Sequence, residues 1–133
     1  MSKMACHCGN LISDSIVPCP TEGYILRDQE IEQYHSAVCR DVADFFAADR
    51  AGRREAWIRN YFLPQYPANT ANEEVINDII TRHATNIKLS VAECGQCGRL
   101  WVQRRNGENV YLAHAPDDPG YKGVLRSDTL GGM

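Results

Sequence analysis

Apolar residues in the middle of the chain recur at three- and four-residue steps, as they do on one face of an α-helix. The first of these stretches covers about residues 28–49, the second about residues 53–62 and the third about residues 70–85. A glycine or a proline lies in each gap between them, where a helix would have to end. The pattern therefore predicts three helices in succession.

Two of these stretches begin with residues that commonly cap helices. Asp28 could accept a hydrogen bond from a free backbone N–H of the first turn. Thr70 is followed three residues later by Glu73, which is the spacing of a capping box. Both residues are therefore predicted to mark helix N-termini.

The segments before and after the helices have strand character, apart from residues 1–5, which are predicted to be a loose lead. The alternation of apolar and polar positions that indicates strands is clearest after the third helix. Asn106-Gly107 is a strong signal for a hairpin turn. The predicted strands are residues 10–17, 24–26, 87–91, 100–102, 110–113 and 124–125.

This order of elements predicts an α+β fold, in which both ends of the chain form a small antiparallel β element and about three α-helices are inserted between them. The length of 133 residues is that of one domain. We therefore expect a single domain over residues 1–133, a helical insertion over about residues 28–85 and a flexible tail over about residues 127–133.

Four of the six cysteines form two closely spaced pairs, one in each half of the β element. The pairs are Cys6 with Cys8 and Cys94 with Cys97, and a glycine follows each pair. Structural zinc takes four ligands in a tetrahedron, and a short spacing places two sulfurs on one turn. The pairs therefore predict one structural Zn²⁺ site. Each pair would form a zinc-ribbon-like cysteine knuckle, and folding would bring the two knuckles together.

Other uses of the cysteines are open at this point. Cys94 and Cys97 have the spacing of a redox pair, although strand and hairpin signals follow them in place of the helix that such a pair needs. His7 could replace a cysteine as a ligand. Cys19 and Cys39 are interpreted as small, semi-buried residues. The chain begins without an apolar signal-peptide core, so disulfides are not expected.

The composition is that of an ordinary soluble protein, with 44% hydrophobic and 23% charged residues. No apolar run approaches the roughly 20 residues of a membrane span. We therefore expect a cytoplasmic protein that does not act at a membrane. The net charge of -3 argues against a general nucleic-acid binder.

Acidic residues are concentrated on the predicted helices. Seven acidic residues and three basic ones lie between residues 21 and 50. The simplest interpretation is a set of solvated helix faces, and the functional one is a negative surface that steers a basic partner protein. The residues predicted to contact such a partner are Glu30, Asp41, Asp44, Glu73, Glu74 and Asp78.

The hairpin after the second cysteine pair carries Arg99, Arg104 and Arg105 beside Trp101. These residues could contact nucleic acid, which gives the alternative function of a zinc-ribbon nucleic-acid-binding or regulatory protein. They could equally form a solvated hairpin with Trp101 packed on the core. No spacing supports a catalytic arrangement, and four thiolates leave zinc no open position, so an enzyme is not expected.

The motifs CHCGN at residues 6–10 and CGQCGRLW at residues 94–101 resemble those of a group of small bacterial zinc-ribbon-like proteins. Residues 24–28 and 120–125 extend the likeness along the chain. The resemblance implies that the four paired cysteines are metal ligands. Some proteins of this group lie beside secreted polymorphic toxins and are taken to be their immunity proteins. The expected function is therefore a non-enzymatic zinc-binding interaction module, most simply one that neutralises a cognate toxin.

Overall fold

The computed structural model describes residues 3–127 of the chain. These residues form an α+β fold with two antiparallel sheets and three α-helices, as predicted. Two compact units are present, one made of Leu26–Ile87 and the other of the residues before and after that segment. No helix within residues 3–127 is both long and apolar enough to cross a membrane. The predicted tail lies, apart from Ser127, outside the described residues, and the single domain stays a prediction.

The helical unit contains the three predicted helices, with ends within two residues of the expected ones. They are α1 (Asp28–Arg50), α2 (Arg54–Tyr61) and α3 (Asn72–Ile87). Their apolar stripes meet in a core built on Phe45, Ile58, Val75 and Ile79, which are fully buried. The periodicity of the sequence thus identifies the buried face of each helix.

Both predicted helix caps are wrong. The N-cap position of α1 is occupied by Arg27, without a side-chain cap, and Asp28 is the first helical residue. The Thr70 hydroxyl donates to the carbonyl oxygen of Pro67 at 2.6 Å, and α3 begins only at Asn72. Neither predicted residue therefore caps its helix, although acidic residues still lie in both first turns, where the helix dipole favours them.

A cluster of polar side chains joins all three helices. The Tyr61 hydroxyl of α2 donates to Asp41 Oδ2 of α1 at 2.6 Å, and His83 Nε2 of α3 lies 2.6 Å from the same oxygen. The Asp41 side chain is only 14% exposed. Burial alone would raise the pKa of Asp41, but the hydrogen bonds from Tyr61 and His83 outweigh burial and hold the pKa below its usual value. The ionised form of Asp41 therefore stabilises the helical unit.

The β unit contains a two-stranded hairpin and a four-stranded antiparallel sheet in which neighbouring strands follow chain order. Residues 3–5, predicted to be a loose lead, instead form the first strand of the hairpin. Cys6, Ile12, Cys94 and Trp101 make up the buried core of this unit. The strands are β1 (Lys3–Ala5), β2 (Leu11–Ser13), β3 (Glu22–Ile25), β4 (Leu89–Glu93), β5 (Leu100–Gln103) and β6 (Tyr111–His114).

The strand predicted for residues 124–125 is absent from the described chain, because the backbone there binds a buried carboxyl group. The N–H groups of Gly123, Val124 and Leu125 donate to the carboxyl oxygens of Glu93 at 2.7, 3.2 and 3.3 Å. Glu93 is only 2% exposed, and it immediately precedes Cys94. These bonds fasten the end of the described chain to the hairpin that carries the second cysteine pair.

Replacing Asp41 by asparagine should lower the free energy of unfolding at pH 7 by about 1–3 kcal/mol, because Tyr61 and His83 lose a charged acceptor. The folded-state pKa of Asp41 is lowered, so its contribution is present above the unfolded pKa of about 3.9 and is lost as the pH falls through the folded value. Urea unfolding should therefore show the difference between wild type and Asp41→Asn shrinking from pH 7 to about pH 2.5.

Asp44→Asn is the matched control, because Asp44 lies one turn further along α1 and is exposed. It should change the free energy of unfolding by no more than about 0.5 kcal/mol at either pH. An Asp41→Asn effect of the same size at both pH values would show that the charge on Asp41 does not stabilise the fold.

Candidate metal centre

Four cysteine sulfurs from two distant parts of the chain lie together in the β unit. The Sγ atoms of Cys6, Cys8, Cys94 and Cys97 are all within 4.8 Å of one another. The closest pairs are Cys6 with Cys97 and Cys8 with Cys94, each at 3.5 Å. Cys6 and Cys94 are buried, and the other two are half-buried. A compact set of four sulfur donors could hold a metal ion, and tetrahedral four-sulfur sites suit zinc or iron.

The first pair lies in the turn between β1 and β2. The N–H of Cys6 donates to the carbonyl oxygen of Asn10 at 2.9 Å, and the N–H of Gly9 donates to the carbonyl oxygen of Cys6 at 3.0 Å. Gly9 has a φ of 94°, a left-handed conformation that residues with a Cβ rarely adopt. The glycine thus closes a turn tight enough to direct both cysteines of the pair into the cluster.

The second pair lies in the turn between β4 and β5, which repeats this bonding. The N–H of Cys94 donates to the carbonyl oxygen of Arg99 at 2.9 Å, and the N–H of Gly98 donates to the carbonyl oxygen of Cys94 at 2.9 Å. Gly98 has a φ of 79°, and a Cβ on it would lie 2.4 Å from the carbonyl oxygen of Tyr121. This turn therefore needs glycine for its backbone angle and for the close approach of a second segment.

Two side chains outside the cluster donate hydrogen bonds to its sulfurs. Asn10 Nδ2 lies 3.4 Å from Cys94 Sγ, and Arg99 Nη1 lies 3.3 Å from Cys97 Sγ. Donors of this kind orient metal ligands and offset the charge of thiolates. The sequence did not single out Asn10 as a donor, although its position directly after the first turn was a usable signal, and Arg99 was considered only as a possible nucleic-acid contact.

Trp101 lies beside the cluster and is 8% exposed. Its indole nitrogen is buried without a hydrogen-bond partner among residues 3–127. His7, considered as an alternative ligand, packs edge-on against Trp101, with ring centroids 4.8 Å apart. The histidine therefore packs on Trp101 and lies outside the group of four sulfurs.

The pKa values of the thiols differ sharply within the cluster. Burial raises the pKa of Cys6, but N–H groups of Cys8 and Trp101 and the neighbouring thiols bring it down to about 6. The pKa of Cys94 is also lowered, since N–H donors including that of Asn10 outweigh burial. Although a backbone N–H of Asn10 favours the Cys8 thiolate, burial and the three other sulfurs raise the pKa of Cys8 to about 11. The thiolate form is therefore favoured at Cys6 and Cys94 and disfavoured at Cys8.

The six acidic residues predicted to bind a partner all lie in the helical unit, but three of them already have partners there. Asp41 is bound by Tyr61, and Asp78 accepts a hydrogen bond from the Tyr66 hydroxyl at 2.6 Å. Glu30 forms an ion pair with Arg27. Of these six, Asp44, Glu73 and Glu74 are exposed and have no ion pair or side-chain hydrogen bond among residues 3–127.

The hairpin proposed as a nucleic-acid surface is largely engaged within its own unit. Arg104 pairs with Glu108 at 2.6 Å, Arg99 donates to Cys97, and Trp101 is buried. Arg105 alone of the four predicted contacts is exposed without an ion pair in the described part of the chain. The hairpin therefore offers little free cationic surface, and Trp101 belongs to the core.

The two remaining cysteines lie outside the cluster. Cys19 is half-buried, with its Sγ 3.4 Å from Thr21 Oγ1, as expected of a small packed residue. Cys39 is exposed on α1, so its assignment as semi-buried is wrong. Cys39 directly follows Val38 in sequence. Consecutive residues of a helix point in different directions, so Cys39 faces solvent while Val38 packs against the core.

Comparison with known proteins places the chain in a family. A family model for a domain of unknown function, DUF8617, matches residues 2–118. Because this match covers most of the 133 residues, the chain belongs to that family. No curated protein and no solved structure matches the chain.

Replacing Gly98 by alanine should destabilise the protein more than replacing Gly9 does. Both glycines have positive φ, so each alanine costs about 1–2 kcal/mol of backbone energy. Only the Cβ at residue 98 also meets the Tyr121 carbonyl oxygen, whereas nothing lies within 4 Å of a Cβ at residue 9. Denaturant unfolding should show an additional loss of at least about 1 kcal/mol for Gly98→Ala. Equal losses would mean that the segment at Tyr121 does not approach this turn.

Proposed function

We propose that Cys6, Cys8, Cys94 and Cys97 bind one structural Zn²⁺ in a zinc-ribbon-like arrangement. The proposal rests on the convergence of four sulfurs from two hairpin turns that are 86 residues apart at their closest cysteines. Two sulfurs from each turn fill the four positions that zinc takes, so none remains for water or substrate. The metal would then hold the two ends of the β unit together and take no part in catalysis.

The N–H groups directed at the sulfurs support this assignment. Asn10 and Arg99 donate to two different cysteines of the cluster. A zinc ion with four thiolates carries a net charge of −2, and donors of this kind offset that charge.

On this zinc-stabilised scaffold, the chain acts as a non-enzymatic protein-interaction module in the cytoplasm. The preferred role is that of an immunity protein, which binds a cognate bacterial toxin and neutralises it by covering its active site. The two cysteine motifs resemble those of small bacterial zinc-ribbon-like proteins, some of which are taken to be immunity proteins, and this resemblance supports the role. A non-enzymatic role also agrees with the sequence, in which no residue spacing predicts a catalytic arrangement.

The distribution of charge supports a basic partner. The helical unit, Leu26–Ile87, contains ten acidic and seven basic residues, whereas the rest of the chain contains seven of each. The whole formal net charge of -3 therefore belongs to the helical unit. A field concentrated in this way accelerates association with a positively charged protein, such as a toxin that acts on nucleic acid.

Elemental analysis of protein purified without chelator should find one zinc per chain. Cys97→Ser should lower both the zinc content and the thermal midpoint, because structural zinc sites contribute directly to folding energy. The matched control is Cys39→Ser, which changes an exposed cysteine of α1 and should leave both values unchanged. Zinc-free wild type, or equal losses in the two variants, would contradict the proposed site.

Affinity capture in the native host should retain one protein at equimolar ratio, and co-expression with that protein should relieve its toxicity. Replacing Glu73 and Glu74 by glutamine should slow the association, with the difference fading at high salt as charge is screened. Retention of nucleic acid alone, lost at high salt and without a protein partner, would contradict the proposed role.

A further inference from the structure

A hollow of about 390 Å³ lies between the end of α1 and the start of α2. It is lined by three alanines, by Trp57 and by three polar residues, Asp44, Arg53 and Asn60. We call it the α1–α2 hollow. It lies entirely within the helical unit, which carries the net negative charge of the chain.

The polar groups of the hollow are free to bind a ligand. Among residues 3–127, the side chains of Asp44, Arg53 and Asn60 form no hydrogen bond or ion pair, either with one another or with other residues. This sets Asp44 apart from Asp41, one turn earlier, which is held by Tyr61. Of the six acidic residues considered for partner binding, Asp44 is the one that lines this hollow, and its carboxylate is free.

Trp57 is held in place on one side of the hollow. Its ring stacks on Tyr61, with centroids 4.5 Å apart and planes at 12°, and it also contacts Phe45 at 5.3 Å. A tryptophan fixed by its neighbours offers contact area without losing conformational freedom when a ligand binds. Tryptophans in such pockets are among the residues that most often dominate binding energy.

We propose that the α1–α2 hollow is the anchor site for one arginine side chain of a partner protein. This inference rests on the proposed function as a protein-binding module. The guanidinium group would pair with Asp44 while its alkyl stem lies over the alanine methyl groups and Trp57. Arg53 and Asn60 would donate hydrogen bonds to a main-chain carbonyl group of the same partner segment. Arg53 would therefore contribute to binding, although it has the same charge as the incoming arginine.

Charge complementarity selects a cation over the other occupants. An anionic side chain could pair with Arg53, but it would have to approach a unit in which acidic residues outnumber basic ones by three. Arginine fits better than lysine, because its planar, weakly hydrated group stacks on aromatic rings and binds carboxylates with two parallel bonds. The lining of small and aromatic side chains suits its long stem.

The test is a titration with the peptide acetyl-Gly-Arg-Gly-amide, followed through the indole N–H signals of the protein. The chain has two tryptophans, so Trp57 reports on the hollow while the buried Trp101 serves as an internal control. The peptide should shift the Trp57 signal with a dissociation constant on the order of millimolar and leave Trp101 unchanged. The same peptide with citrulline, a neutral isostere of arginine, should bind about tenfold more weakly.

Two variants test the assignment to this hollow. Asp44→Asn removes the proposed counter-charge, and Ala56→Leu fills the space at an exposed position of α2, so each should weaken binding of the arginine peptide about tenfold. Glu73→Gln, an exposed acid of α3, should bind the peptide as the wild type does. Equal shifts with the arginine and citrulline peptides, or unchanged binding by Asp44→Asn, would overturn the proposal.

Different results would contradict the anchor site and the proposed function. A cognate partner that binds Asp44→Asn and wild type equally would overturn the anchor site and leave the proposed function intact. Selective binding of the arginine peptide, in a chain that captures no protein partner from its host, would support the anchor site and contradict the proposed function.

Discussion

Four sulfur atoms held within 4.8 Å of one another impose the main constraint on this protein. Neighbouring thiolates repel one another, and burial and the three other sulfurs raise the pKa of Cys8. A divalent cation would remove this conflict, and the donors from Asn10 and Arg99 would offset the charge that remains. The constraint also joins segments more than 80 residues apart, whose meeting costs considerable loop-closure entropy.

Much of the β unit serves to hold these sulfurs in place. The two turns share one bonding scheme, which needs Gly9 and Gly98 at its sharpest points. Glu93, buried beside the second pair, fastens the last described segment to the same hairpin through three backbone N–H groups. The helical unit has a separate core and a polar cluster around Asp41.

The sequence predicts those features that arise from local periodicity or from the chemistry of one residue type. Helical periodicity predicts the ends of α1 to α3 to within two residues, and the spacing of the cysteines identifies the four whose sulfurs lie together. The sequence does not predict features that depend on contacts with residues far away in the chain. Residues 124–125 resemble a strand until Glu93 is known to bind their backbone, and Asp41 resembles a surface acid until Tyr61 and His83 surround it. Counting charges cannot distinguish such an internal carboxylate from Asp44, which remains free.

We propose that four thiolates of one chain enclose a zinc ion. X-ray absorption at the zinc edge, measured on protein purified without added metal or chelator, is the direct test. We expect four sulfur neighbours at about 2.3 Å and no lighter ligand. Nitrogen or oxygen neighbours at about 2.0–2.1 Å, which would reveal a histidine or water ligand in place of a cysteine, would contradict it.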